Sequence, residues 1–186
     1  MISEENAASG KLLISEPFMT DPNFKRSVLY LAEHNSQGTV GFVLNQKSAF
    51  VLSDLIDEVE GNEYQVYTGG PVGNDSLHFI HTLGGLIYDS VEVSKGVYWG
   101  GNFESLKMLF STRQVQENQI KFFLGYSGWG IGQLDTEIKQ NAWMVTESKT
   151  EFIFADTEKQ LWNQTVISLG KKFAPLVNFP ENPNLN

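Results

Sequence analysis

Cysteine is absent from the 186 residues. That excludes disulfides, thiolate nucleophiles, iron–sulfur clusters and every zinc site built on sulfur, so a metal would have to be held by histidine and carboxylates alone. Histidine is itself scarce, at three residues. Glu33 and His34 are neighbours on an expected strand and point to opposite faces, and the odd separation of His78 and His81 splits them in the same way. No pair chelates by local geometry, and no metal or cofactor is expected. Long hydrophobic runs are missing too. Stretches such as "GVYWGG" and "KFFLGYSGWGIG" are broken by glycines well short of the about 20 apolar residues of a spanning helix. The opening "MISEENAASG" is acidic and polar, without the basic start and apolar block of a secretory signal, so a cytoplasmic protein is expected, with no membrane partner. Positive charge is the last deficit: 13 basic residues face 22 acidic ones, for a net charge of −9. The basic residues are scattered except for Lys25-Arg26 and Lys171-Lys172. No stripe offering the roughly 6–10 phosphate contacts of a nucleic-acid binder can be drawn, which argues against direct nucleic-acid binding.

What is present is an ordinary globular composition, 41% hydrophobic and 19% charged, in a length that fits one domain spanning 1–186 and buries roughly 70% of its unfolded surface. Residues 1–9 and 180–186 carry the composition of loose ends. Between them, residues 11–15 read as a buried strand ending at Pro17, and "FMTDPNF" carries Asp-Pro-Asn turn chemistry. Residues 27–34 and 39–46 form a hairpin around "NSQG". Residues 50–61 place Leu52, Leu55, Ile56 and Val59 at helical spacing. Short strand-like runs at 65–72, 77–83, 90–94 and 97–101 suggest an antiparallel meander. Asn102 can cap a helix that carries Phe103, Leu106, Leu109 and Phe110, and residues 120–127 are again strand-like. Two helical turns follow from 132, then strands in "AWMVT" and "EFIFA". A final helix, capped by Asp156 or Thr157, ends at Gly170.

The glycine run "GYSGWGIGQLDTEI" invites three enzymatic readings, and all three fail on spacing. "GYSGW" is not the G-x-S-x-G of a nucleophile elbow, no lysine completes a phosphate-binding Walker loop, and "GWGIGQ" is not G-x-G-x-x-G. The remaining reading is a bend in which glycines supply positive φ and close backbone approach where a strand swings into a helix. "GGPVGNDS" is read likewise as a tight bend at a strand end, and the four tryptophans as core residues rather than stacking platforms.

A longer pattern runs through "GKLLISEPFMTDPNFKRSVLYLAEHNSQGTVGFVLNQ", "YTGGPV", "LHFIHT", "FFLGYSGWGIGQLDTEI", "AWMV" and the closing tryptophan-bearing helix. Across nearly its whole length the sequence resembles the YqgE/AlgH family of bacterial proteins. The resemblance implies an α+β domain with a bifurcated, mostly antiparallel sheet folded into a pseudo-barrel with flanking helices. The family's members carry the label of transcriptional regulators, and no catalytic residues come with it. With neither a helix-turn-helix nor a basic face, the residues themselves point to a non-catalytic binding or regulatory protein acting through a small-molecule or protein partner. Its candidate pocket comprises Asp21, Arg26, Glu33, His34, Asn45, Tyr126, Trp129 and Gln133, polar and aromatic residues in glycine-rich turns which, if they converge, would offer Arg26 and exposed amides to an anion. The plainer alternative has Asp21 making its own turn, Arg26 paired to a nearby acid and Gln133 opening a helix. An enzymatic alternative is a hydrolase or transferase using His34 or His81 with a carboxylate as an acid–base pair.

Overall fold

A computed structural model of the chain describes residues 5–59 and 63–180. Its β-strands are β1 (Lys11–Ser15), β2 (Val28–Asn35), β3 (Gly38–Val43), β4 (Lys47–Val51), β5 (Gln65–Thr68), β6 (Val72–His81), β7 (Val91–Ser94), β8 (Val97–Trp99), β9 (Ile120–Trp129) and β10 (Trp143–Glu147). The helices are α1 (Leu52–Leu55), α2 (Phe103–Ser111), α3 (Gln133–Lys139), α4 (Thr150–Ile153) and α5 (Glu158–Ser168). Among the described residues no helix is long and apolar enough to cross a membrane. The sheet runs β10-β1-β2-β3-β9-β6-β8-β7 and does not close on itself. β5 lies off this path, antiparallel to β4 and parallel to β9. The architecture is therefore α+β with a mostly antiparallel sheet that forks at β9, which pairs with β3, β5 and β6.

Alternation along the strands explains how the sheet is covered on both faces. In β1, Leu12 and Ile14 face one way, into a core with Tyr30, Phe42, Phe123 and the α5 residues Leu161, Trp162 and Val166. Leu13 faces the other way and packs with Trp129, Trp143 and Leu134 of α3. A third core joins Val66, Phe79 and Phe122 to Leu106, Leu109 and Phe110 of α2. That helix begins as expected, with the Asn102 side chain accepting from the Ser105 N–H. The Glu137 carboxylate of α3 accepts from the indole N–H groups of both Trp129 and Trp143, at 2.9 and 2.8 Å, which fastens α3 to the ends of β9 and β10.

The fork depends on close backbone approach. Gly69 donates its N–H to Leu124 O at 2.8 Å, and its carbonyl accepts from Val43 N and Ser127 Oγ at 2.9 and 3.0 Å. A Cβ on Gly69 would stand 2.3 Å from the carbonyl oxygen of Gly125. A Cβ on Gly125, at φ +66, would stand 2.6 Å from Val72 O. The glycine run is thus a bend: β9 continues through Trp129 and α3 opens at Gln133 behind a left-handed Gly132.

The structure corrects three sequence expectations. Residues 65–101 are not a simple meander, because β5, which runs into the Gly69-Gly70-Pro71 bend, pairs with β9 in parallel, while only β6, β7 and β8 follow the antiparallel pattern. "EFIFA" is not a strand. α4 occupies it, burying Ile153 and turning the carbonyls of Ile153 and Ala155 toward Lys121. The helix expected over 50–61 shrinks to α1 and a 3-10 turn at Asp57–Val59, because Phe50 and Val51 belong to β4 and Ile56 is extended at φ −140; residues 60 and 61 lie outside the described residues. For the expected loose ends, 1–4 and 181–186 also lie outside them. Ala7 packs with Leu13 on the face of β1 opposite Leu12 and Ile14, and Ser9 Oγ accepts from His34 N at 2.9 Å.

Gly69→Ala is expected to lower the unfolding free energy by at least about 3 kcal/mol, because backbone rather than a flexible side chain must move. Gly85→Ala, where an added Cβ meets nothing within 4 Å, should stay within about 0.5 kcal/mol in the same urea titration.

Candidate functional site

The sequence-predicted pocket residues fall in separate places rather than one. Asp21 makes its own turn, Oδ1 accepting from the Asn23 backbone at 2.9 Å and side chain at 3.0 Å. Gln133 closes the start of α3, its Oε1 accepting from Gly130 N and its Nε2 donating to Glu137. Glu33, Tyr126 and Trp129 line a shallow depression of about 380 Å³ at one end of the β2–β3 hairpin. His34 sits beside it, its Nδ1 2.7 Å from Thr39 Oγ1. Arg26 and Asn45 lie at the hairpin's other end. Thr39 and Asn45 stand six positions apart along β3 and just past its end, a span of up to roughly 20 Å, which is why the two groups do not share a pocket.

Arg26 and Asn45 border the largest cleft described, about 660 Å³, together with Lys25, Lys47, Thr68, Glu158 and Asn163. Asn45 builds its wall: Oδ1 accepts from Val28 N at 2.9 Å, while Nδ2 donates to the carbonyls of Arg26 and Glu158 at 2.9 and 3.2 Å. That grip holds Arg26 at φ +46, a left-handed backbone that a non-glycine residue adopts only under constraint. Its guanidinium lies over the Trp162 ring, 4.7 Å from the centroid, and Nη2 donates to the Phe179 carbonyl. Among the described residues Arg26 meets no carboxylate, and two buried polar atoms of the cleft residues, Arg26 Nε and Asn163 Oδ1, have no hydrogen-bond partner. Lys47 donates its N–H to Glu158 Oε1 at 2.9 Å and holds Asp156 with its ammonium at 2.7 Å.

The Lys47–Asp156 pair joins this cleft to a second cavity of about 250 Å³ containing Tyr64, Tyr67, Lys121 and Asp156. Asp156 also accepts from the Tyr67 hydroxyl at 2.9 Å. The Lys47 ammonium, with Tyr67 second, holds its carboxyl below the usual range. Burial raises Tyr67, with Asp156 adding to it. Lys121 is buried at 4% exposure. Its amine donates to Ala155 O at 2.7 Å and Ile153 O at 3.3 Å, and lies 4.1 Å from the Tyr67 ring centroid. Burial pushes it down to about 7, Asp156 opposing and Lys47 adding to the fall. Sequence reasoning missed Lys121, although a lysine inside the apolar run "IKFFLG" was the available signal.

The histidines offer no acid–base pair with a carboxylate among the described residues. His81 is fully buried, with Nδ1 accepting from Leu83 N at 3.1 Å and Nε2 donating to Gly100 O at 2.9 Å, which fixes a neutral ring. His78 packs among Phe42, Trp99 and Tyr126 and contacts Ser76, whose hydroxyl is spent on Gly73 O at 2.6 Å.

The family model described as AlgH-like matches residues 12–174. A UPF0301 protein of Chlorobium limicola is 40% identical over 187 residues, covering 100% of both chains. Another, from Chlorobaculum tepidum, is 38% identical with 95% of each covered. The solution structure of the AlgH protein of Pseudomonas aeruginosa superposes with a TM-score of 0.72 at 27% identity, over 95% of this chain and 98% of that one. A crystal structure of a Corynebacterium diphtheriae protein shares the fold at a TM-score of 0.75 and 21% identity, over 96% and 95%.

Desolvation lowers both His78 and His81 below the ordinary value of 6.5. Below that value the unfolded chain therefore binds protons that the folded chain refuses, and stability falls with pH, by up to about 1.4 kcal/mol per unit and group. Urea midpoints are expected to hold above pH 7 and decline from about 6.5 toward 5, and His81→Gln should flatten that decline.

Proposed function

This chain belongs to the AlgH-like family, and from that premise we propose that it is a non-catalytic, cytoplasmic binding protein whose cleft at Arg26 takes a small anionic ligand and passes that occupancy to a regulatory partner. The observation that supports the reading is Arg26 itself. A strained non-glycine backbone is kept where its surroundings over-determine it, and such residues cluster at ligand clamps. Here the strain brings a guanidinium to a cleft also lined by Lys25 and by Lys47, whose ammonium is paired with Asp156, with Glu158 the one carboxylate of the lining. On a chain of net charge −9, this local excess of cations draws an anion against the overall field. Arg26 Nε and Asn163 Oδ1 are polar groups that a ligand with both acceptor and donor atoms would engage after a small side-chain adjustment. The acidic remainder of the surface suits a protein or small-molecule partner better than a phosphate backbone.

Thermal unfolding against inorganic phosphate, phosphomonoesters and dicarboxylates tests this. A ligand at about 100 times its Kd should raise the midpoint by roughly 5–10 °C for a chain of this size. Arg26→Gln and Lys47→Gln should each abolish the shift. Flat curves for every anion would overturn the ligand reading and leave a protein partner to be sought.

A further inference from the structure

The cavity behind the Lys47–Asp156 pair has features that an anion cleft does not require. Its inner wall carries Lys121, at the edge of the core that α5 covers, and Tyr67, Ile120 and Phe154 line the cavity with it. A lysine this deeply buried ordinarily has a carboxylate to itself. Here the nearest carboxylate, Asp156, is engaged by the Lys47 ammonium at 2.7 Å and the Tyr67 hydroxyl at 2.9 Å. The partners left to Lys121 are two backbone carbonyls and a ring face. A neutral amine has two N–H bonds, which those two carbonyls accept, and it keeps its lone pair. Desolvation and a neighbouring cation are the two means by which proteins activate a lysine as a nucleophile, and both are present, the first from burial and the second from Lys47.

We propose that Lys121 is a carbonyl-reactive amine and that the cavity over it is a reversible covalent site for a small aldehyde or ketone. The amine lone pair adds to the carbonyl carbon to give a carbinolamine. Loss of water then forms the C=N bond of an imine, the carbonyl oxygen leaving with the two protons of the amine. No oxidant or other co-reactant enters, and hydrolysis returns both components. At about 250 Å³ the cavity admits a compound of a few carbons. The charges that act on the amine are Asp156, beyond α4, and Lys47 from β4; Tyr67 of β5 presents its ring, and Tyr64, Glu63 and Glu117 line the cavity. The carboxylates of the lining disfavour an anionic carbonyl compound and leave a neutral one. The site is distinct from the Arg26 cleft, so either reading can fail alone.

The test is competitive labelling of the intact native chain with propanal, trapped by borohydride and quantified lysine by lysine by peptide mass spectrometry from pH 6 to pH 9.5. At pH 7 Lys121 is expected to gain the propyl group at least about tenfold faster than the exposed Lys95 and Lys139, because far more of it is unprotonated. Its rate should level off near pH 8 while theirs keep rising. Lys121→Arg should remove that fast-labelling peptide without altering the others. Labelling of Lys95 and Lys139 with Lys121 left unmodified in the folded chain would overturn the proposal and reduce the residue to a cap on the carbonyls of α4.

Discussion

The approach of Gly69 to the Gly125 carbonyl is the constraint on which the rest of the structure rests. A side chain at Gly69 would collide with backbone at 2.3 Å, and only because none is there can β9 receive β3, β5 and β6 along one strand. The carbonyl of Gly69 then serves Val43 and Ser127 together. Three hydrophobic cores meet at this fork. β9 sends Phe122 into the α2 core and Phe123 into the α5 core, while Trp129 reaches the α3 core. Alternation separates Phe122 from Phe123, and Trp129, an even number of positions beyond Phe123, reaches its different core past the left-handed Gly125.

The polar sites follow from the same junction. Tyr67 and Thr68 immediately precede Gly69, and the fork sets them between the two cavities, Thr68 lining the Arg26 cleft and Tyr67 the Lys121 cavity. Lys47 opposes Tyr67 across the β4–β5 ladder, so its ammonium reaches Asp156 and ties the two cavities together. Asn45, just beyond β3, clasps β2 and α5 through three hydrogen bonds and imposes the strained backbone of Arg26.

Local features were legible in the sequence where a local cause produces them. The β2–β3 hairpin, the Asn102 cap, the bend at residues 125–132 and the tryptophan cores follow from turn chemistry, capping and periodicity. The parallel pairing of β5 with β9 was not, because it depends on backbone contact between glycines more than 50 residues apart, and period-two patterning does not encode strand direction. "EFIFA" has the alternation of a strand, but its helical carbonyls are held by Lys121, a residue 32 positions away from Ile153. The site was legible in part. Arg26 and Asn45 stand together, whereas Glu33, Tyr126 and Trp129 gather at the far end of the same hairpin and Asp21 and Gln133 serve their own turns. Glycine-rich turns mark where the chain bends without saying which end of a strand each bend occupies. Lys121 is the opposite case, a charged residue in an apolar run whose meaning emerges only when its neighbours are known.

Amide hydrogen exchange under native conditions tests most directly whether the fork organises the molecule. The amides of Val43, Thr68 and Gly69, which bond to Gly69, Gln46 and Leu124, should exchange only through global unfolding, with free energies equal to the largest found in β1 and β2. Exchange of these three through a lower-energy local opening, while β1 and β2 stay protected, would contradict the claim that the fork holds the sheet and its two cavities together.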